Sequence, residues 1–192
     1  MQDFSFYFSL GLEHVLDWKA YDHVLFLLVL AAVYTFTSWK KLLLMVTVFT
    51  VGHTISLLLA HYDVVSVNTG LIECLIPITI AITAIANFFT KGNKVSSTWI
   101  TLYIITTLFF GLIHGFGFAT YYKMIAPENE VISLLGFAAG VEISQVIVVL
   151  CVLILAYLFQ GLFKVRQREW VLVVSAIVIG RVLPMLAENC LL

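Results

Sequence analysis

Ionisable side chains lie inside several apolar stretches of this sequence: His23, His53, Glu73, His114 and Glu142. A polar group without a partner in hydrocarbon costs on the order of 2–7 kcal/mol, so each of these side chains needs a partner from another part of the chain. His114 has the clearest setting, FFGLIHGFGFATYY at Phe109–Tyr122. Gly111 and Gly115 share one helix face there, which lets a neighbouring helix approach the backbone beside the imidazole.

Imidazole and carboxylate together suit borderline divalent cations, and the residues do not distinguish nickel, cobalt, zinc and iron. The five side chains above are therefore predicted to bind one divalent metal ion. A supporting group is predicted to orient them or to balance their charge: His14, Asp22, Gln145 and Arg181. Three carboxylates and one arginine in these spans leave two negative charges, which a divalent cation would cancel. The alternative is a metal-free network in which Arg181 pairs with a glutamate and the histidines are hydrogen-bonded.

The composition is that of an integral membrane protein. Of 192 residues, 62% are hydrophobic and 11% are charged, against about 25% charged residues in soluble domains. The net charge of −1 excludes a basic surface for nucleic acid. The start of the sequence has no basic region or cleavage site, so no signal peptide is expected. Cys74, Cys151 and Cys190 have no metal-binding spacing. Cys74 and Cys151 lie in apolar runs and are predicted to be inert packing thiols, whereas Cys190 is predicted to be an accessible thiol near the outer surface.

Hydropathy predicts a single all-helical membrane domain over residues 1–192. Residues 4–18 mix aromatic and charged side chains and are predicted to form a helix at the membrane interface. Six apolar runs follow and predict a six-helix bundle, at residues 22–37, 42–60, 64–89, 98–119, 131–159 and 171–188. Most reach the roughly 20 residues that cross a bilayer; the first is short. Because the links are short, consecutive helices are expected to be antiparallel neighbours.

Basic residues give the expected orientation. Seven follow odd-numbered spans: Lys40, Lys41, Lys91, Lys94, Lys164, Arg166 and Arg168. Only Lys19 and Lys123 lie on the other side, so both termini are predicted to face outward. All five candidate ligands then fall in the outer half of the bundle. A path to the inner side would have to use side-chain oxygens of the inner half, for which the candidates are Thr79, Thr83, Asn87 and Thr107.

With these residues in view, the chain resembles the HupE/UreJ family of bacterial membrane proteins. The resemblance rests on GLEHVLDWKAYDHVLFLLVL, FTVGHTISLLLA, the Glu73 segment, FGLIHGFGFA and LLGFAAGVEISQ, in the family's order over most of the chain. The positions that match the family are His14, Asp22, His23, His53, Glu73, His114, Glu142 and Gln145. The HupE branch carries a histidine–proline element before the first Asp-His pair, where this chain reads GLEHVLDWKAYDH. The resemblance implies a multi-pass protein of the bacterial inner membrane that takes up nickel or cobalt.

We therefore expect a divalent metal transporter, with the lipid bilayer and the metal ion as its partners and no catalytic residues. One alternative is an intramembrane zinc- or iron-type hydrolase that activates water for attack on a lipid, with Glu73 or Glu142 as general base. Another is a structural subunit with a buried polar network. Protein partners, including a second copy of the chain, are left open by the sequence.

Overall fold

The computed structural model describes residues 2–17, 21–90, 97–125 and 130–191, and all the regular elements in them are helical. The helices are α1 (Gln2–Leu16), α2 (Asp22–Ala32), α3 (Trp39–His61), α4 (Thr69–Phe88), α5 (Ser97–Ile125), α6 (Glu130–Leu162) and α7 (Gln167–Leu191), with a short 3-10 turn at Phe36–Ser38. Within the described ranges, α3 to α7 are long and apolar enough to cross a membrane, whereas α2 has 11 residues. The predicted all-helical membrane class is confirmed. The count of six spans and the outward termini stay predictions; Lys19, Lys91 and Lys94 lie outside the described residues.

The most extensive pairings join α3 with α5, α1 with α6 and α4 with α7. None of these pairs is consecutive. The expectation that consecutive helices are antiparallel neighbours is wrong for most of the bundle, although α4 and α5 do pack together. Glycines explain the α3–α5 pairing, because a Cβ on Gly52 would lie only 2.6 Å from the carbonyl oxygen of Leu108. Gly111 similarly faces the Phe49 carbonyl, so the two backbones touch and the helices run in the same direction.

Helices α1 and α2 follow one another along α6, in its direction. Gly136 and Gly140 of α6 lie against the carbonyls of Phe4 and Phe8, so α1 runs parallel to the first half of α6 and packs against it. The end of α2 reaches the start of α7, where the side-chain amide of Gln167 donates to the Ala32 carbonyl at 2.9 Å. The described part of α1 thus packs against the bundle; its predicted position at the membrane interface stays a prediction.

The buried end of α2 is capped by side chains from other helices. The last four carbonyls of a helix have no partner within it, and the amide of Asn87 donates to one of them, Val29 O, at 2.9 Å. The same amide nitrogen lies 3.2 Å from Ser175 Oγ, and the Tyr103 hydroxyl donates to Asn87 Oδ1 at 2.8 Å. Asn87 is fully buried. Its side chain therefore ties α2 to α4, α5 and α7.

The other residues of the predicted inner path lie nearby. The hydroxyls of Thr79 and Thr83 donate back to carbonyls of their own helix, Ile76 O and Thr79 O. Thr107 is fully buried, and its hydroxyl has no hydrogen-bond partner among the described residues. Use of these groups as an ion path stays a prediction.

A disulfide joins Cys74 of α4 to Cys190 of α7, with Cα atoms 5.0 Å apart. The predictions of a packing thiol at Cys74 and an accessible thiol at Cys190 are therefore both wrong. They are 116 residues apart, and only the antiparallel pairing of α4 with α7 brings them together. Cys151 is free and exposed. Beside the disulfide, the amide of Asn189 donates to the Glu73 carbonyl at 3.2 Å, a group that Pro77 leaves without its helical donor.

Candidate metal centre

Four imidazoles from four helices converge in one place. His14 lies in the last turn of α1, His23 in the first turn of α2, His53 in α3 and His114 in α5. The ring centroids of His23 lie 4.0 Å from His114 and 4.6 Å from His14, and the rings of His14 and His53 are 5.6 Å apart. The group therefore lies beside the end of α1 and the start of α2.

Asp22 connects two of these imidazoles. Its Oδ1 lies 3.1 Å from Nδ1 of His23 and accepts the His23 backbone N–H at 2.8 Å, while its Oδ2 lies 3.1 Å from Nε2 of His114. The carboxylate stands at the first residue of α2, where the positive end of the helix dipole favours a negative charge. Two triads of potential ligand atoms result, each within 4.8 Å: Asp22, His23 and His114, and His14, His23 and His53.

Several buried ring nitrogens in this cluster lack a hydrogen-bond partner among the described residues. His23, His53 and His114 are 2%, 1% and 3% exposed. Within the described residues, Nε2 of His14, of His23 and of His53 has no hydrogen-bond partner, nor has Nδ1 of His114. Nε2 of His114 is close to Asp22 but lacks hydrogen-bond geometry. Because buried polar atoms are normally satisfied, these open nitrogens favour an external ligand over a closed internal network.

Aromatic rings surround the cluster. The ring of Phe118 lies 4.1 Å from that of His14, and the ring of Phe110 lies 4.4 Å from that of His114. Such a shell excludes water and strengthens the interaction between a cation and its ligands. His14 also borders a cavity of about 650 Å³ between α1 and α5, whose other lining residues include the exposed Glu13 and Asp17. The cavity gives one side of the cluster access to the surface.

The structure brings together three of the five predicted ligands, His23, His53 and His114. His14 and Asp22, which the sequence placed in a supporting role, stand among them as potential ligands. Glu73 is exposed on α4 and Glu142 is partly exposed on α6, and neither belongs to the two triads. The assignment of these two glutamates as metal ligands therefore rests on the sequence alone.

The remaining supporting residues are more distant from the imidazoles. Arg181 is exposed on α7, and its guanidinium lies 5.0 Å from the centre of the Tyr21 ring, a cation–π contact one residue before Asp22. Among the described residues, no carboxylate forms an ion pair with it. Gln145 is buried, and its Oε1 lies 3.2 Å from the Thr50 hydroxyl. Their membership of the metal site stays a prediction.

Two features of the structure were not predicted from the sequence: the place of His14 in the cluster and the partners of Glu142. The charged residues around His14 indicated an interfacial helix. However, Gly11, one turn before His14, packs against the backbone of Phe137 and holds α1 in the bundle. A small residue one turn from a histidine was the available signal. Thr47 and Thr50, which hydrogen-bond Glu142, are also one turn apart and could have been recognised as a polar helix face.

Comparison with known proteins identifies a family. A family model described as HupE / UreJ protein matches residues 1–187, essentially the whole chain. No curated protein and no solved structure matches the chain.

Proposed function

We propose that this chain, which belongs to the HupE/UreJ family, is a membrane carrier of a divalent transition-metal cation of the nickel or cobalt type. The observation that carries the proposal is the convergence of four imidazoles and one carboxylate, with ring nitrogens that have no hydrogen-bond partner in the described part of the chain. The family is associated with nickel and cobalt uptake, which agrees with this donor set. We further propose the inner membrane of a bacterium as its location.

The donors suit a cation that must be bound and then released. Neutral imidazoles and one carboxylate bind nickel, cobalt, zinc and iron ions, which prefer such borderline donors. We propose that the ion first meets His14, which borders the cavity, and then His23 and His53. Asp22 contacts both His23 and His114, so it orients their rings and supplies the only negative charge in the two triads.

We propose that α1 and α2 form one discontinuous crossing, which keeps the predicted count of six but places α1 within the membrane instead of at its interface. The two helices have 15 and 11 residues, so each is too short to span the roughly 30 Å hydrocarbon core. They descend in succession along α6, and the break between them lies at the histidines. Interrupted helices at mid-membrane are tolerated where they line a binding site, and carriers use them to bind ions.

In the described arrangement the inner side of the bundle is tied together by Asn87. Its contacts with Val29, Tyr103 and Ser175 join α2 to α4, α5 and α7. Inward release requires α2 to move relative to these helices, as alternating access would demand. We therefore propose that this arrangement binds the ion from the outer side.

The test compares His53→Ala with His61→Ala, a matched change at the end of the same helix. Purified proteins are titrated with nickel, cobalt, zinc and iron ions, and uptake of radiolabelled nickel or cobalt is measured in proteoliposomes. His53→Ala should weaken metal binding by more than about a hundredfold, since even the loss of a group that only orients a ligand costs 10–100-fold. His61→Ala should bind and transport as the unchanged protein does.

Other outcomes identify the alternatives. If His53→Ala keeps its full complement of metal, the histidine cluster is not the binding site. If the metal is bound but resists chelators and never crosses the membrane, the carrier proposal fails and the metal-dependent hydrolase becomes the better hypothesis. If no divalent metal binds at all, the chain is a structural subunit with a polar network.

A further inference from the structure

A second polar group, separate from the histidine triads, lies between α3 and α6. The Thr47 hydroxyl donates to Glu142 Oε1 at 2.7 Å, and the Thr50 hydroxyl donates to Glu142 Oε2. The Thr50 oxygen also lies 3.2 Å from Gln145 Oε1. Gln145 is fully buried, and its Nε2 has no hydrogen-bond partner among the described residues. We call these four residues the Glu142 group.

When Glu142 is ionised, its negative charge has no counter-charge among the described residues. Both helices that form it are long and apolar enough to span the membrane, and a carboxylate at mid-span costs roughly 2.5–3.5 kcal/mol on insertion scales. Two hydroxyl donors offset part of this cost. In the described part of the chain, no lysine, arginine or histidine forms an ion pair with Glu142.

The helices packed against α6 carry other titratable groups near the same level, but none of them supplies this charge. They are His14 on α1, Asp22 and His23 on α2, and His53 on α3. Each belongs to the histidine triads, and no hydrogen bond or ion pair links any of them to Glu142. A positive charge for the Glu142 group must therefore come from outside the described residues.

We propose that the Glu142 group binds one monovalent cation, a hydrogen ion or Na⁺, and that this is the ion coupled to metal transport. Its donors are two carboxylate oxygens, two hydroxyl oxygens and one amide oxygen. An all-oxygen set suits a hard cation and contrasts with the imidazoles of the metal centre. Hydroxyl hydrogens rotate freely, so Thr47 and Thr50 can turn their lone pairs toward a bound ion. Only the coupling role rests on the proposed transport function; the binding of the ion does not.

The position of the group on α3 provides the coupling. Thr50 precedes His53 by three residues, which places the two side chains about one helical turn apart, roughly 4.5 Å along the axis. Two cations bound at such close sites repel each other. A divalent ion at the histidines therefore weakens binding of the monovalent ion at Glu142. The monovalent ion likewise weakens binding of the divalent ion, as an exchanger requires.

The test is labelling of the full-length protein in detergent with dicyclohexylcarbodiimide, a reagent for protonated carboxyl groups in apolar surroundings. Divalent metal is removed by a chelator, and modification of Glu142 is quantified by mass spectrometry. For a hydrogen-ion site, the extent of labelling rises as the pH is lowered and does not depend on the Na⁺ concentration. For a Na⁺ site, Na⁺ at ten times its Kd lowers labelling roughly tenfold by mass action, and K⁺ does not. The exposed Glu73 is the internal reference and should show no response to Na⁺.

Variants keep the result interpretable. Thr50→Val preserves shape but removes the hydroxyl, so it should abolish most of the response to Na⁺ or shift the pH response, whereas Thr50→Ser should preserve it. Glu142→Gln should abolish labelling but bind as much divalent metal at saturation as the unchanged protein, since it lies outside the histidine triads. Labelling of Glu142 that responds neither to pH nor to Na⁺ would overturn the proposal.

Loss of divalent metal from Glu142→Gln would also overturn it, because Glu142 would then be a metal ligand, as the sequence predicted. Because the labelling requires neither metal nor transport, its result stands even if the protein proves not to be a carrier. Failure of the two proposals can therefore be told apart.

Discussion

Replacing Asn87 by leucine should destabilise the protein by about 2 kcal/mol. The change removes three buried interhelical hydrogen bonds, to the Val29 carbonyl, to the Ser175 hydroxyl and from the Tyr103 hydroxyl. Interhelical hydrogen bonds in membrane proteins contribute about 0.6 kcal/mol on average and about 1.7 at most. Three of them give about 2 kcal/mol and set an upper limit near 5.

The comparison variants each remove a single bond of this set. Tyr103→Phe and Ser175→Ala should each cost about 0.6 kcal/mol, close to one-third of the leucine variant. The free energy of unfolding is measured in mixed micelles by titration with a denaturing detergent. The Val29 carbonyl has no described donor other than Asn87 outside its helix, so Asn87→Leu should be the most severe of the three.

The same variants separate a helix cap from an ion path. If Asn87 only caps α2, any loss of metal uptake should follow the loss of stability across all three variants. If its oxygen lies on the path of the ion, Asn87→Leu should block uptake while Tyr103→Phe, which leaves that oxygen in place, transports normally. A leucine variant as stable as Tyr103→Phe would refute the reasoning about the cap.

Three further outcomes are expected. Gly52→Ala should lower the free energy of unfolding by about 1–3 kcal/mol, because its Cβ would press on a backbone carbonyl of α5. The matched Gly161→Ala should be neutral or slightly stabilising, since nothing lies within 4 Å of a Cβ at that position. Equal unfolding free energies for the two variants would contradict the close α3–α5 contact. Thiol titration of the denatured protein should find only Cys151 before reduction and three thiols afterwards, and three thiols at the outset would exclude the disulfide between α4 and α7. Asp22→Asn should weaken metal binding by about 10–100-fold, measured by calorimetric titration, because it removes the charge that orients two imidazoles; unchanged affinity would show that this carboxylate has no part in the site.

The disulfide bears on orientation as well as on stability. Disulfides persist in oxidising compartments outside the cytoplasm. Cys74 lies near the start of α4 and Cys190 near the end of α7, the ends that the charge distribution places on the outer side. The bond therefore supports the predicted orientation, in which both termini face outward.

The amino-acid sequence alone was enough to predict the class of the protein and three of the four clustered imidazoles. Hydropathy is a local property, so the spans from α3 to α7 could be recognised from runs of apolar residues. The cost of a polar group in hydrocarbon is also local, which is why His23, His53 and His114 could be identified as members of a site before any contact was known. The same reasoning predicted that Asn87 lies on the inner side, but it did not predict that Asn87 caps α2.

Which of these groups meet depends on how the helices pack. Helix pairing depends on where backbones approach closely, and glycines such as Gly52 and Gly140 pair helices that are not consecutive in the chain. That pairing brings His14, which lies on α1, into the histidine cluster. It also places Glu142 between α3 and α6, where two threonines hydrogen-bond its carboxylate. Charge counting in the sequence had joined all the carboxylates in one site, because it has no information on distance. Only the packing separates an imidazole-rich centre from an oxygen-only group one helical turn away.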